Sequence, residues 1–239
     1  MEKDINKKEI KNITNELIIA VTNGKSELQR EIISKYGNYI LKSLGKNIAT
    51  IKDKNGYTLA HALAQYGNEK VQNKILDMFG KGTATIKDNQ GWTLAHALAQ
   101  YGKGKVQERL IKLFRKDIET IKDKEGNILA RALAEYGDFK AQKLVIKIMG
   151  KDIGKENKRE DGVRYNLPTV AHLLVTYGNN EIRKMVIDTL GIDIRTIKDV
   201  IGRSLVQLLE VKGNDEVKKK VKKIIKEYKE NQAKNLKRD

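Results

Sequence analysis

Three histidines are the first side chains to weigh for chemistry, because three imidazoles are also a common zinc ligand set. His61, His96 and His172 stand in the same place of three copies of one repeated segment. Ligands that recur once per copy lie a repeat apart and do not converge on one ion. Arg131 and Gln207 fill that place in two further copies, an exchange that a hydrogen-bonding role tolerates and a metal site does not. No metal and no cofactor are therefore expected. Asp53, Asp88, Asp123 and Asp199 each precede a glycine by three positions and read as turn formers, not as catalytic carboxylates. Gly24-Lys25-Ser26 resembles the end of a phosphate-binding loop, but Ile19 stands where that loop needs a glycine. With no cysteine, no Gly-x-Ser-x-Gly elbow and no histidine outside the repeated place, a nucleophile and base pair is missing, and an enzymatic role is not expected.

The repetition that disarms the histidines also sets the architecture. Thr58 to Gly67 recurs without change at Thr93 to Gly102. Gly56, Gly91 and Gly126 are 35 residues apart, as are Gly67, Gly102 and Gly137. Thr-Ile-Lys-Asp opens units at Thr50, Thr85, Thr120 and Thr196, and the last gap of 76 is two periods plus six (35 + 35 + 6). The extra residues fall in the polar stretch Lys151 to Asn166, ahead of the copy that runs through Thr169 and His172 to Tyr177-Gly178. A weaker copy follows from Asp199 through Ser204 to Gly213. Such a chain buries its core between neighbouring units, so an all-α helical repeat solenoid, one domain throughout, is expected.

Each unit carries helical periodicity. Val71, Ile75, Met78 and Phe79 form an apolar stripe repeated by Val106, Leu110, Leu113 and Phe114. The alanine-rich first half, Thr-Leu-Ala-His-Ala-Leu-Ala, favours a short helix that lets another approach closely. Gly67, Gly102, Gly137, Gly178 and Gly213 are expected to end it in the left-handed conformation. The layout is a degenerate helical cap over 1–49, with a helix pair around Leu17 to Leu44. Five repeats follow at about 50–84, 85–119, 120–151, 152–195 and 196–228, with a closing helix around Asp215 to Tyr228 and a basic tail over 229–239.

The string Asp53-x-x-Gly56-x-Thr58-Leu59-Ala60-His61-Ala62-Leu63-Ala64-x-x-Gly67 resembles the ankyrin repeat, Asp-x-x-Gly-x-Thr-Pro-Leu-His-x-Ala-Ala-x-x-Gly, and it recurs from Asp88, Asp123 and Asp199. It departs in a period of 35 rather than 33 and in lacking the proline after threonine, Pro168 being the sole proline. The resemblance implies helix, turn, helix and hairpin in each unit, a histidine bonded to the threonine and the loop backbone, and recognition through a concave face. That face would consist of the hairpin tips and the exposed end of the inner helix.

Charge gives the candidate surface its character. The chain of 239 residues carries a formal net charge of +17. Lys52, Lys87, Lys122 and Lys198 hold one repeat position, and Lys70, Lys105 and Lys140 another, so stacking turns each set into a row. Tyr66, Tyr101, Tyr136 and Tyr177 precede the helix-ending glycine in four copies. The hairpin position varies through Tyr57, Trp92, Asn127, Pro168 and Arg203, so no shared packing need is expected to fix Tyr57 or Trp92. With Lys54, Asn55, Asn89 and Gln90, and further along Gln65, Gln100, Lys124, Glu125 and Glu135, these residues make the expected partner-binding face.

Two functions compete for that face. One is a protein-interaction scaffold that grips a partner with an acidic surface. The other is a nucleic-acid binder with lysine rows on phosphates and Tyr57 and Trp92 stacking on bases. Glu119, Glu125, Glu135 and Asp138 interrupt the basic surface and weigh against the second. The charged start, Met1 to Lys11, is followed by no apolar run long enough for a signal peptide or membrane span, so a cytoplasmic protein without membrane contact is expected. It is also expected to be a monomer.

Overall fold

The computed structural model describes residues 7–156, 167–199 and 201–235. Most of the insertion expected within 151–166 lies outside the described residues. The described chain is helical, with no strand beyond the isolated bridges Lys52–Thr58, Lys87–Thr93 and Lys198–Ser204. Its packing divides into two compact units, Met1–Glu125 and Gly126–Asp239.

The first unit opens with α1 (Lys7–Thr22) and α2 (Ser26–Leu44), the expected helix pair. Two repeats follow, each an inner and an outer helix: α3 (Leu59–Tyr66) with α4 (Glu69–Phe79), then α5 (Leu94–Tyr101) with α6 (Lys105–Phe114). Inner α3 packs on α5, outer α4 on α6, and α2 covers α3 and α4. Ala60, Ala62, Ala64, Ala95, Ala97 and Ala99 are fully buried, so small side chains set the close approach of the inner helices. Val71, Ile75, Val106 and Leu110 bury the outer stripe, whose ends at Met78, Phe79 and Leu113 stay half-buried.

The second unit repeats the scheme with inner α7 (Leu129–Tyr136), α9 (Val170–Tyr177) and α11 (Leu205–Lys212), and outer α8 (Phe139–Met149), α10 (Asn180–Leu190) and α12 (Asp215–Asn235). α9 packs between α7 and α11, and α10 between α8 and α12. The closing helix runs on through 229–235, into the stretch expected to be a tail. Lys223–Glu227 and Lys226–Glu230 pairs at 3.8 Å, and a Gln232 amide donating to the Tyr228 hydroxyl at 3.1 Å, link successive turns there.

Two features add to the apolar packing of the repeats. Gln72 donates from Nε2 to the Ala64 carbonyl at 2.7 Å and to the Tyr101 carbonyl at 2.9 Å, while its Oε1 accepts from the Lys103 amide at 3.3 Å. Gln107 and Gln142 make the same bond to Ala99 and Ala134 at 2.7 and 2.9 Å. A 3-10 turn also follows α2, α4, α6, α8 and α10, at Gly45–Ala49, Gly80–Ala84, Arg115–Glu119, Gly150–Gly154 and Gly191–Arg195, and buries Ile48, Thr83, Ile118, Ile153 and Ile194 in turn.

The glycines that end the inner helices are not left-handed, contrary to expectation: Gly67 has φ −69° and ψ 154°. Left-handed φ values occur instead at the hairpin glycines, such as Gly56, and at the residue that opens each 3-10 turn, where Arg115 is the exception among glycines, at φ 48°. A side chain at that angle is strained by about 1–3 kcal/mol. Arg115→Gly is expected to stabilise the protein by about 1 kcal/mol after the added unfolded-state entropy is subtracted, as measured by urea unfolding.

Candidate functional site

Each hairpin is built by its aspartate. Asp53 Oδ1 accepts the amides of Asn55 and Tyr57 at 2.8 and 2.9 Å, and Asp88 Oδ1 accepts those of Gln90 and Trp92, both at 2.9 Å. Asp199 repeats this on Ile201 and Arg203 at 3.1 and 2.8 Å. The chain then turns through Gly56 at φ 76°, where a Cβ would meet Asn89 Oδ1 at 2.5 Å. That crowding reflects how the hairpins join: the Asn89 amide donates to the Asn55 carbonyl at 2.9 Å, its side chain to the Lys54 carbonyl at 3.1 Å, and the Lys124 amide to the Gln90 carbonyl at 3.0 Å.

The repeated histidine locks hairpin to inner helix. His61 is fully buried, its Nδ1 2.8 Å from Thr58 Oγ1 and 3.3 Å from the Thr58 amide, and its Nε2 3.3 Å from the Trp92 carbonyl of the next hairpin. A carbonyl only accepts, so Nε2 carries the proton and Nδ1 accepts. Burial pulls the His61 pKa down to about 4, Asp88 opposing it weakly, so the ring is neutral at physiological pH. His96 and His172 sit 2.8 Å from Thr93 and Thr169 Oγ1 in the same way. Arg131, in the histidine place, donates from Nε to Asn127 Oδ1 at 3.4 Å and from Nη1 to the Pro168 carbonyl, the counterpart of Trp92 in its unit. Gln207 and Ser204 form a capping box.

Six expected contact residues of the first unit, Asn55, Tyr57, Gln65, Tyr66, Asn89 and Gln90, line one open cleft of about 570 Å³ together with Asp53 and Asp88. Tyr57 donates its hydroxyl to Gln65 Oε1 at 2.6 Å, and burial pushes that phenol up, helped by the nearby Tyr101 and Tyr66. Burial and Tyr66 raise Tyr101 as well, so the three phenols form one cluster. The Tyr57 ring lies 5.1 Å from the His61 ring and the Trp92 ring 4.7 Å from that of His96. Both aromatics are half-buried, so they carry packing as well as exposed surface, which their variability did not suggest. Lys52, Lys54 and Lys87 are exposed, and Lys122 is half-buried.

The remaining expected residues belong to the second unit. Asn127 is half-buried and bonded to Arg131, whereas Tyr136 and Tyr177 are 43% and 54% exposed. The N-terminal pair contributes cleft residues that were not expected, among them Ser26 and Gln29. From α2 the Arg30 guanidinium also lies 5.5 Å over the Tyr66 ring. No helix among the described residues is long and apolar enough to cross a membrane.

No family model and no curated protein matches the chain. A solved structure does: the crystal structure of PUF-8 in complex with PBE-RNA superposes with a TM-score of 0.54 at 11% sequence identity, over 91% of this chain and 66% of that one. At that identity the likeness is one of fold, and it places the chain among helical repeat proteins.

Proposed function

We propose that the chain is a binding protein, not an enzyme, and that it takes single-stranded nucleic acid along the face made by the hairpins and the ends of the inner helices. The observation that carries this is the pairing, in the first unit, of exposed Lys52, Lys54 and Lys87 with an open cleft lined by tyrosines and side-chain amides. Lysines supply phosphate contacts, and tyrosines supply sequence-tolerant stacking surfaces. A net charge of +17 favours a polyanion. The PUF-8 complex adds that a protein of similar fold holds RNA.

Fluorescence anisotropy with a labelled 12-nucleotide single-stranded RNA tests this. Affinity should fall steeply with salt, and Lys52→Ala with Lys87→Ala should flatten the slope of log K against log salt by about 1.4, since each lost phosphate contact removes roughly 0.7. Salt-independent or absent binding would sink the proposal.

A second function is favoured by the ankyrin-like unit itself, a hairpin and two helices every 35 residues, which suits a protein partner with an acidic surface. Capture from cells with and without nuclease separates the two, because a protein partner survives digestion of nucleic acid.

A further inference from the structure

We propose that the cleft of the first unit accepts one unstacked guanine base of a single-stranded nucleic acid, an inference that rests on the nucleic-acid reading above. Asp53 and Asp88 each engage Oδ1 with two turn amides. Among the described residues, neither Oδ2 has a hydrogen bond or ion pair, and both aspartates line the cleft. A carboxylate is an acceptor only. Guanine alone among the four RNA bases presents two adjacent donors, N1–H and the N2 amino group, on its Watson–Crick edge. Adenine and cytosine set a ring-nitrogen lone pair beside their amino group, and uracil flanks its single N–H with carbonyls, so each brings an acceptor against the carboxylate.

The rest of the cleft fits the same base. Gln65 Oε1 is occupied by the Tyr57 hydroxyl, which leaves the Nε2 protons for an acceptor such as guanine O6. Tyr66 is half-buried beneath the Arg30 guanidinium, and with Tyr57 it offers aromatic surface to a flat ligand. About 570 Å³ lies within the roughly 300–1,000 Å³ of small-molecule clefts.

Charge then orients the strand. Exposed Lys25, Lys54 and Lys87 are chain neighbours of the lining residues Ser26, Asn55 and Asp88. Carboxylates within and ammonium groups around the cleft repel a phosphate from the floor and hold it at the edge, so the base enters and the backbone stays outside.

The test compares anisotropy titrations of the full chain with an eight-uridine RNA and with the same strand carrying one central guanosine, adenosine, cytidine or inosine. The guanosine strand is expected to bind about tenfold tighter than all-uridine, in the range of one well-made bidentate contact, and inosine, which lacks the N2 amino group, several-fold weaker than guanosine. Asp53→Asn with Asp88→Asn keeps an Oδ1 acceptor for each turn and replaces the second oxygen by a donor. It should abolish the guanosine preference, so that the guanosine and all-uridine strands bind within about twofold of each other. Salt-dependent binding without base preference, equal affinity for guanosine and inosine, or tight binding of an arginine-containing peptide through the same two carboxylates would overturn the guanine site. Binding of none of the strands would overturn both this site and the nucleic-acid reading.

Discussion

Gly102→Ala is expected to lower stability by about 3 kcal/mol, the upper end of the range for forcing extra carbon into a packed site. Gly102 adopts φ −66° and ψ 136°, which any residue can take, so conformational freedom is not the reason. An added Cβ would stand 2.1 Å from the Leu98 carbonyl oxygen and 2.9 Å from Val106 Cγ1. That carbonyl also accepts the Gly102 amide at 2.9 Å, so the contact cannot be relieved without breaking the end of the inner helix. The control is Gly82→Ala, whose Cβ would meet nothing within 4 Å and which should stay within about 0.5 kcal/mol of the parent. Urea unfolding followed by circular dichroism compares the two. Equal effects at Gly82 and Gly102 would mean that the junction of inner and outer helix has room to spare.

These glycines mark a boundary of what the sequence could reveal. A glycine required for a left-handed angle and one required for a close approach are the same letter, and periodicity alone assigns neither. Left-handed glycines lie elsewhere in the repeat, at Gly56 and its equivalents in the hairpins and at Gly80 and its equivalents after the outer helices, where Arg115 breaks the series. The helix pairs themselves were legible, because apolar stripes and alanine runs at a fixed period admit little else. Gln72, Gln107 and Gln142 keep the 35-residue spacing too, but a polar residue on an amphipathic helix reads as surface until its buried bond to the preceding helix is seen.

The candidate cleft was legible in part. Repetition flags what recurs, and it led to the hairpin tips and the tyrosines. It gave no signal for Ser26, Gln29 or Arg30, because the N-terminal pair has no copy with which to align them. Asn89, a polar residue at a tip, looks like a contact by composition, yet its amide and side chain are engaged in joining one hairpin to the next.

His61 ties the stability of this face to pH, and the second large effect follows from it. Its pKa is drawn from 6.5 down to about 4 by burial, against a weaker upward pull from Asp88, the Trp92 carbonyl and Asp53. The folded state therefore binds fewer protons than the unfolded one between those values. Its stability contribution is complete above pH 6.5, declines as pH falls through that window, and is fully lost below about 4. The loss should reach about 3 kcal/mol by pH 4, at 1.36 kcal/mol per unit. Protonating Nδ1 also sets a donor against the Thr58 amide and so breaks that bond of the capping circuit. Carboxylates titrate in the same range, which makes the informative quantity the difference between parent and His61→Gln. That variant should cost about 1 kcal/mol at pH 7, one net hydrogen bond, because Gln207 fills the same place with its own capping box. At pH 4.5 the deficit should vanish or reverse, since glutamine has no proton to take up. Parallel urea curves at the two pH values, with a constant gap between the proteins, would show that His61 titrates normally in the fold and that its burial does not govern the acid limb.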